Sequence, residues 1–250
     1  MKIKHSGLEY NIHKTEFNSL GNRLVFSIHG RPADSQCLLP ILNWCKEMNF
    51  NFFGYDQYGS GQTQAIKPIS NDCLIEHFAK ELAAVLKQLN SKEKITIWAH
   101  SVGALFVTTA MVHNKDIFNQ VDSLIFSGFC PNRIEFLAYN ESRSNEDNFS
   151  HKYICRSNPW PDYFSDSMNN TPYGEITLKN NYDDLLQKII LPTLIIYGQY
   201  DICSDEQATM LSKNLINSEI VKIQNSSHYP FVENAKETFH VVSEFIKRIL

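Results

Sequence analysis

Short runs dominated by β-branched and aromatic residues recur at 24–28, 50–55, 95–98, 121–126, 194–197 and 220–223. Apolar residues on consecutive rather than alternate positions, in runs this short, predict strands buried on both faces. Between several of these runs the period changes. Leu74, Phe78, Leu82, Val85, Leu86 and Leu89 recur at helical spacing, as do Phe239, Val242, Phe245, Ile246 and Leu250. Each set predicts a helix with one apolar face. Another helix-like run begins at Val102. The alternation of strand and helix predicts an α/β fold: a mostly parallel central sheet with helices on both faces. Ligands of such sheets bind beyond the carboxyl ends of the strands.

The alternation lapses between about residues 131 and 190, where Asn, Ser, Pro and aromatic residues are dense, and strand character resumes only after Pro192. That is too long for a plain connection within a compact domain, and it predicts a short lid or cap insertion. Phe136, Tyr139, Phe149, Tyr153, Trp160, Tyr163, Phe164 and Tyr173 either line an apolar pocket there or pack the lid onto the body. The four acids Glu135, Glu141, Glu146 and Asp147 read as a solvated face.

With 250 residues and 43% hydrophobic content the chain can bury a large core, so residues 1–250 are expected to form a single domain. A net charge of -4 supplies no basic field for a phosphate backbone, which argues against a nucleic-acid partner. No apolar run approaches the roughly 20 residues of a membrane span, and no signal-peptide h-region opens the chain. A cytoplasmic location is expected. Cys37, Cys45, Cys73, Cys130, Cys155 and Cys203 are scattered without zinc-type spacing. They are expected to be reduced thiols, mostly in the core, and no metal site is expected.

Candidate chemistry centres on AHSVG, residues 99–103, set between an apolar run and a helix-like run. A serine hydroxyl attacks only when it is exposed and has a base beside it, and a tight strand-to-helix turn with small neighbours provides the exposure. Ser101 is therefore a candidate nucleophile, although a serine before an apolar helix also serves as an ordinary N-cap. After the last strand the chain reads NSSHYPFVEN, which places His228 at a strand's carboxyl end as the candidate base. A base needs a carboxylate to fix its tautomer. GQYD brings Asp201 just past the strand at 194–197; Asp205 competes, but sits where a helix would start. For an oxyanion hole, the Val102 amide at the helix start is one donor. The other comes from HGRP, where Pro32 lacks an N–H and Arg31 is the candidate.

Taken in order, HGRP at His29, YDQYGSGQT at Tyr55, AHSVG around Ser101, GQYD ending at Asp201 and SSHYPFVEN around His228 resemble the α/β-hydrolase superfamily over nearly the whole chain. The order serine, aspartate, histidine is that fold's order. The resemblance implies a serine hydrolase with a triad of Ser101, Asp201 and His228, backbone oxyanion donors at Arg31 and Val102, and a structural Asp56. DQ followed by GSG, together with HGRP, is especially like the proline iminopeptidase branch. The expected activity is hydrolysis of a carboxylic ester or thioester of a small-molecule acyl substrate through an acyl-enzyme, with no cofactor. An iminopeptidase-like aminopeptidase is the alternative within catalysis. A non-catalytic ligand-binding protein that kept the fold is the alternative outside it. Neither acyl-chain length, leaving group nor oligomeric state follows from the residues.

Overall fold

The computed structural model describes residues 3–14, 23–89, 91–169, 178–179 and 181–249. Two compact units are distinguished, residues 1–122 with 162–177 and residues 123–161 with 178–250.

In the first unit β1 (Ile12–Lys14), β2 (Arg23–Ile28), β3 (Asn51–Tyr55) and β4 (Lys94–His100) lie in the order β1-β3-β2-β4. Leu24 of β2 faces Asn51 on one side and Ile95 on the other, both in parallel register; only β1 runs antiparallel, on β3. All residues of β2 and β3 are buried, which is why the sequence shows unbroken apolar runs and no alternation. Arg23 opens β2 fully buried, and it is tolerated because Asp122 takes both of its Nη atoms, at 2.7 and 3.0 Å.

The longer helices of this unit are α1 (Leu39–Glu47), α2 (Leu74–Leu89) and α3 (Gly103–His113). The apolar face read for α2 is the buried one, and Phe78 stacks on Phe106 of α3 with ring centroids 4.7 Å apart. In α3 every residue from Gly103 to Ala110 is buried, so this helix is apolar all round rather than amphipathic. Neither α1 nor β1 was legible as a separate element. The apolar stripe of α1 is short, carried by Ile41, Leu42, Trp44 and Cys45, and β1 has only three residues, none of them fully buried.

One polar residue breaks the apolar face of α2. Glu81 is fully buried and accepts from the Tyr10 hydroxyl at 3.0 Å and the Tyr58 amide at 3.2 Å, tying the N-terminal segment and the loop after β3 to the helix. Burial raises its carboxyl to about 8 against a usual 4.5, more than these donors lower it. The folded protein thus holds a proton here that the unfolded chain gives up. Its stabilising contribution is complete below about pH 4.5 and is lost as pH rises through about 8. Urea unfolding is expected to show stability falling by up to about 5 kcal/mol between those limits, with Glu81→Gln abolishing most of that slope. A slope unchanged in the variant would mean that another group carries it.

The chain enters the second unit inside β5 (Val121–Ser127), which pairs in parallel with β6 (Thr193–Gly198), itself parallel to β7 (Ser218–Ile223). Its longer helices are α4 (Arg133–Asn140), α5 (Asp205–Asn214) and α6 (Ala235–Ile249). The α6 helix buries Val242, Phe245 and Ile246 as its spacing predicts, while Leu250 lies outside the described residues.

The segment expected to be a lid is built of short helical pieces. It holds α4, a π-type turn at Ser150–Ile154 and a helix at Asp162–Met168, the last belonging to the first unit. Asn132 caps α4 by accepting the Glu135 amide at 3.1 Å. Of the aromatic residues singled out there, Phe164 is fully buried, the others described are half-buried, and Tyr173 lies outside the described residues. The six cysteines are free thiols: Cys37, Cys45, Cys155 and Cys203 are buried, Cys130 is half-buried and Cys73 is exposed. Among the described residues no helix is long and apolar enough to cross a membrane.

Candidate active site

The candidate residues fall in two sets, one in each unit. In the first, β4 ends at His100, Ser101 has φ +53°, and α3 begins at Gly103. A left-handed backbone at a residue other than glycine is strained, and it is the geometry a strand-to-helix turn needs to present a side chain at its apex. Two close approaches explain the glycines around it. A Cβ on Gly30 would lie 2.7 Å from the Ser101 Cβ, and one on Gly103 would lie 2.8 Å from the His29 carbonyl oxygen. Ala99 lies two residues ahead of Ser101. It sits fully buried within regular β4, so a methyl group is accommodated there.

Ser101 is half-buried. Val102 takes the N-cap position of α3, where the first amides of a helix lack carbonyl partners inside it. Arg31 follows Gly30 in the loop packed on Ser101, and its guanidinium lies over the Phe78 ring at 5.6 Å. The loop is held from below by Asp56. That carboxylate accepts from the Ser35 amide at 3.0 Å, the Ser35 hydroxyl, the Gln62 amide at 2.9 Å and the Asn11 side chain at 2.7 Å. Burial alone would raise its carboxyl, but the donors outweigh burial and hold it below the usual range. Asp56 is thus a loop-fixing residue, as its sequence context implied.

In the second unit, Asp201 follows β6 and His228 follows β7, and the two meet: His228 Nδ1 lies 2.8 Å from Asp201 Oδ1. Both are buried. Asp201 also accepts the Cys203 amide on Oδ1 at 3.0 Å and the Gly198 amide on Oδ2 at 3.3 Å. With its oxygens committed to N–H donors, it is an acceptor, so Nδ1 of His228 carries the hydrogen and Nε2 is left basic. Asp205 is separated from this arrangement. It opens α5, beside its N-cap Ser204, and pairs with Lys222 at 2.6 Å.

Two glycines and an arginine hold this pair in place, and of these only Gly198 lies in a motif, GQYD. Gly128, at φ +61°, lies so close to His228 that a Cβ would be 2.7 Å from Nδ1. Gly198 does the same for the preceding loop: a Cβ would fall 2.1 Å from the Ser227 carbonyl oxygen. Arg143 is stacked by Tyr139 at 3.8 Å and Tyr153 at 4.7 Å, and donates to the Asp201 carbonyl at 3.2 Å. The Tyr153 carbonyl accepts the His228 amide at 3.3 Å. The only sequence signal for this bracing was the density of aromatic residues in the lid segment. Of the four lid acids, Glu141, Glu146 and Asp147 are exposed, and Glu146 is engaged by Lys152 at 2.9 Å and by the Tyr153 hydroxyl.

Residues 21–130 match the family model described as Serine aminopeptidase, S33. A proline iminopeptidase of Saccharolobus solfataricus is 26% identical, over 91% of this chain and 86% of its own. The crystal structure of a proline iminopeptidase from Mycobacterium smegmatis superposes with a TM-score of 0.83 at 17% identity, covering 99% of this chain and 97% of that one. An esterase from Exiguobacterium antarcticum superposes with a TM-score of 0.80 at 20% identity and 98% coverage of each chain.

Proposed function

We propose that this chain, which has the α/β-hydrolase fold and relatives among the proline iminopeptidases, is a serine hydrolase that cleaves a carboxylic ester or thioester through an acyl-enzyme on Ser101. The observation that carries this reading is the φ of +53° at Ser101 in the turn between β4 and α3, a strain that a mere helix cap does not require. In this reading His228 Nε2 removes the hydroxyl proton as Ser101 attacks the acyl carbonyl. Asp201 stabilises the imidazolium that results. The amides of Arg31 and Val102 receive the oxyanion. Collapse expels the alcohol or thiol, which takes its proton from His228. Water, activated by the same base, then releases the acid. The segment at 131–190 is the proposed source of acyl specificity, and the chemistry needs no cofactor.

The curated relatives favour a second reading, an aminopeptidase of the iminopeptidase type. A peptide's ammonium group would need a carboxylate held for it. Glu141, Glu146 and Asp147 are exposed, and Glu135, half-buried in the first turn of α4 with Oε2 out of solvent, is the lid acid this second reading would use.

A fluorophosphonate probe is expected to label the wild-type protein and not Ser101→Ala. Equal labelling of both, or none of folded wild type, removes Ser101 as nucleophile. Aryl esters, thioesters and amino-acid arylamides assayed side by side separate the two catalytic readings. The expected order has esters and thioesters well above proline arylamide.

A further inference from the structure

The oxyanion loop carries a histidine that the reaction as written does not use. His29 is fully buried at the end of β2, and its ring bridges two backbone groups: Nδ1 is 2.7 Å from the Gly30 carbonyl oxygen, and Nε2 is 3.1 Å from the Gln57 amide nitrogen. A carbonyl oxygen can only accept and an amide N–H can only donate. The two contacts therefore fix one state independently of each other: a neutral ring with hydrogen on Nδ1 and a lone pair on Nε2. Burial lowers the imidazole's affinity for a proton, against the pull of Asp56 and Asp34. Gln57 also closes the other side, its Nε2 donating to the His29 carbonyl at 2.8 Å.

The consequence lies in the next peptide. Gly30 C=O and Arg31 N–H belong to one planar trans unit and point in opposite directions, so a hydrogen bond that fixes the carbonyl also aims the amide. The unit is in contact with the elbow, since a Cβ on Gly30 would lie 2.7 Å from Ser101 Cβ and 3.2 Å from the His100 carbonyl oxygen. Gly103 packs equally closely on the His29 carbonyl. Without the ring, the Gly30 carbonyl would lose the hydrogen bond that fixes the tilt of the Gly30–Arg31 peptide plane.

We propose that His29, locked by Gln57 as the neutral Nδ1–H tautomer, is the positioning residue that orients the Gly30–Arg31 peptide and so aims the Arg31 N–H at the oxyanion. This rests on the reading of Ser101 as the nucleophile. His29 touches neither substrate nor reacting atoms in this role; it acts through one peptide plane. The effect belongs to the transition state, because an oxyanion donor strengthens as charge develops on the oxygen.

The test compares His29→Leu, which removes both ring contacts, with His29→Asn, whose side-chain amide can still donate to the Gly30 carbonyl. The substrate is p-nitrophenyl acetate. His29→Leu is expected to lower kcat by about 100-fold, the loss of one oxyanion donor, with KM within about threefold of wild type. His29→Asn should recover at least about tenfold of that loss. Nitrogen-15 chemical shifts of the wild-type ring should show Nδ1 protonated and Nε2 bare at neutral pH, a readout that stands even if His29→Leu fails to fold. An unchanged kcat in His29→Leu, an Asn variant no better than Leu, or hydrogen on Nε2 would each overturn the proposal. Failure of the Ser101 reading shows differently: wild type neither hydrolyses the ester nor takes up fluorophosphonate.

Discussion

Asp201→Asn is expected to lower kcat on an aryl ester by about 10⁴-fold while leaving the protein folded, measured at neutral pH beside circular dichroism. The size follows from how the carboxylate is occupied. Three N–H donors converge on its two oxygens, from His228, Cys203 and Gly198. A carboxylate suits three donors because it only accepts; an amide of the same shape must turn one NH₂ toward one of them. Facing His228, that NH₂ would force hydrogen onto Nε2 and remove the base. Facing Gly198, it would meet an N–H at a backbone position that cannot retreat. If Asp201→Asn kept kcat within about tenfold of wild type, the acid would have to be sought elsewhere. Asp205 is a poor substitute, already paired with Lys222 at the start of α5.

Gly198→Ala is expected to damage stability and activity together, by about 3 kcal/mol in urea unfolding and by at least about 100-fold in kcat. The added methyl carbon would sit 2.1 Å from the Ser227 carbonyl oxygen and 2.6 Å from that of Ser226. Both are backbone atoms, so no rotamer change relieves the overlap. The loop that must move is the one carrying His228, and it is held on its far side by the Ser227 contacts to Glu233, at 2.9 to 3.0 Å. A displacement on the order of 1 Å at a general base is enough to cost the stated activity. Full activity in a folded Gly198→Ala protein would show that the loop relaxes without moving the imidazole.

The Ser101 turn could be proposed from the chain because its chemistry is local. The Ser101 turn needs small residues beside it and a strand and a helix on either side, all within a few positions. Asp205 has a local reason to be where it is, as an acid in the first turn of α5, whereas Asp201 lies in the loop just past β6.

Other features were not legible because they depend on contacts remote in sequence. Nothing near Gly128 or Gly198 in the chain says that each abuts the loop of His228, which lies 100 residues on from the first and 30 from the second. Arg143 resembles any surface arginine until Tyr139 and Tyr153 close around it and its guanidinium reaches the Asp201 carbonyl. His29 and Gln57 lie 28 positions apart, and only their pairing reveals which ring nitrogen holds the hydrogen. The short antiparallel β1 and the buried Glu81 likewise carry no periodic signal of their own.

By itself, the sequence determined the parallel α/β alternation and the burial of most of the parallel strands, and it nominated the reactive groups; the strand at 220–223, expected to be buried on both faces, is instead the partly exposed edge strand β7, with Ile220 open to solvent. Hydrophobic period and turn chemistry are properties of neighbouring residues, so they survive in one dimension. The tertiary structure alone decided how those groups are aimed: the tautomers of His228 and His29, the donors that surround Asp201, and the clearances that only glycine satisfies. Orientation depends on hydrogen bonds and contacts of a few ångströms between distant segments, and these exist only once the chain has folded.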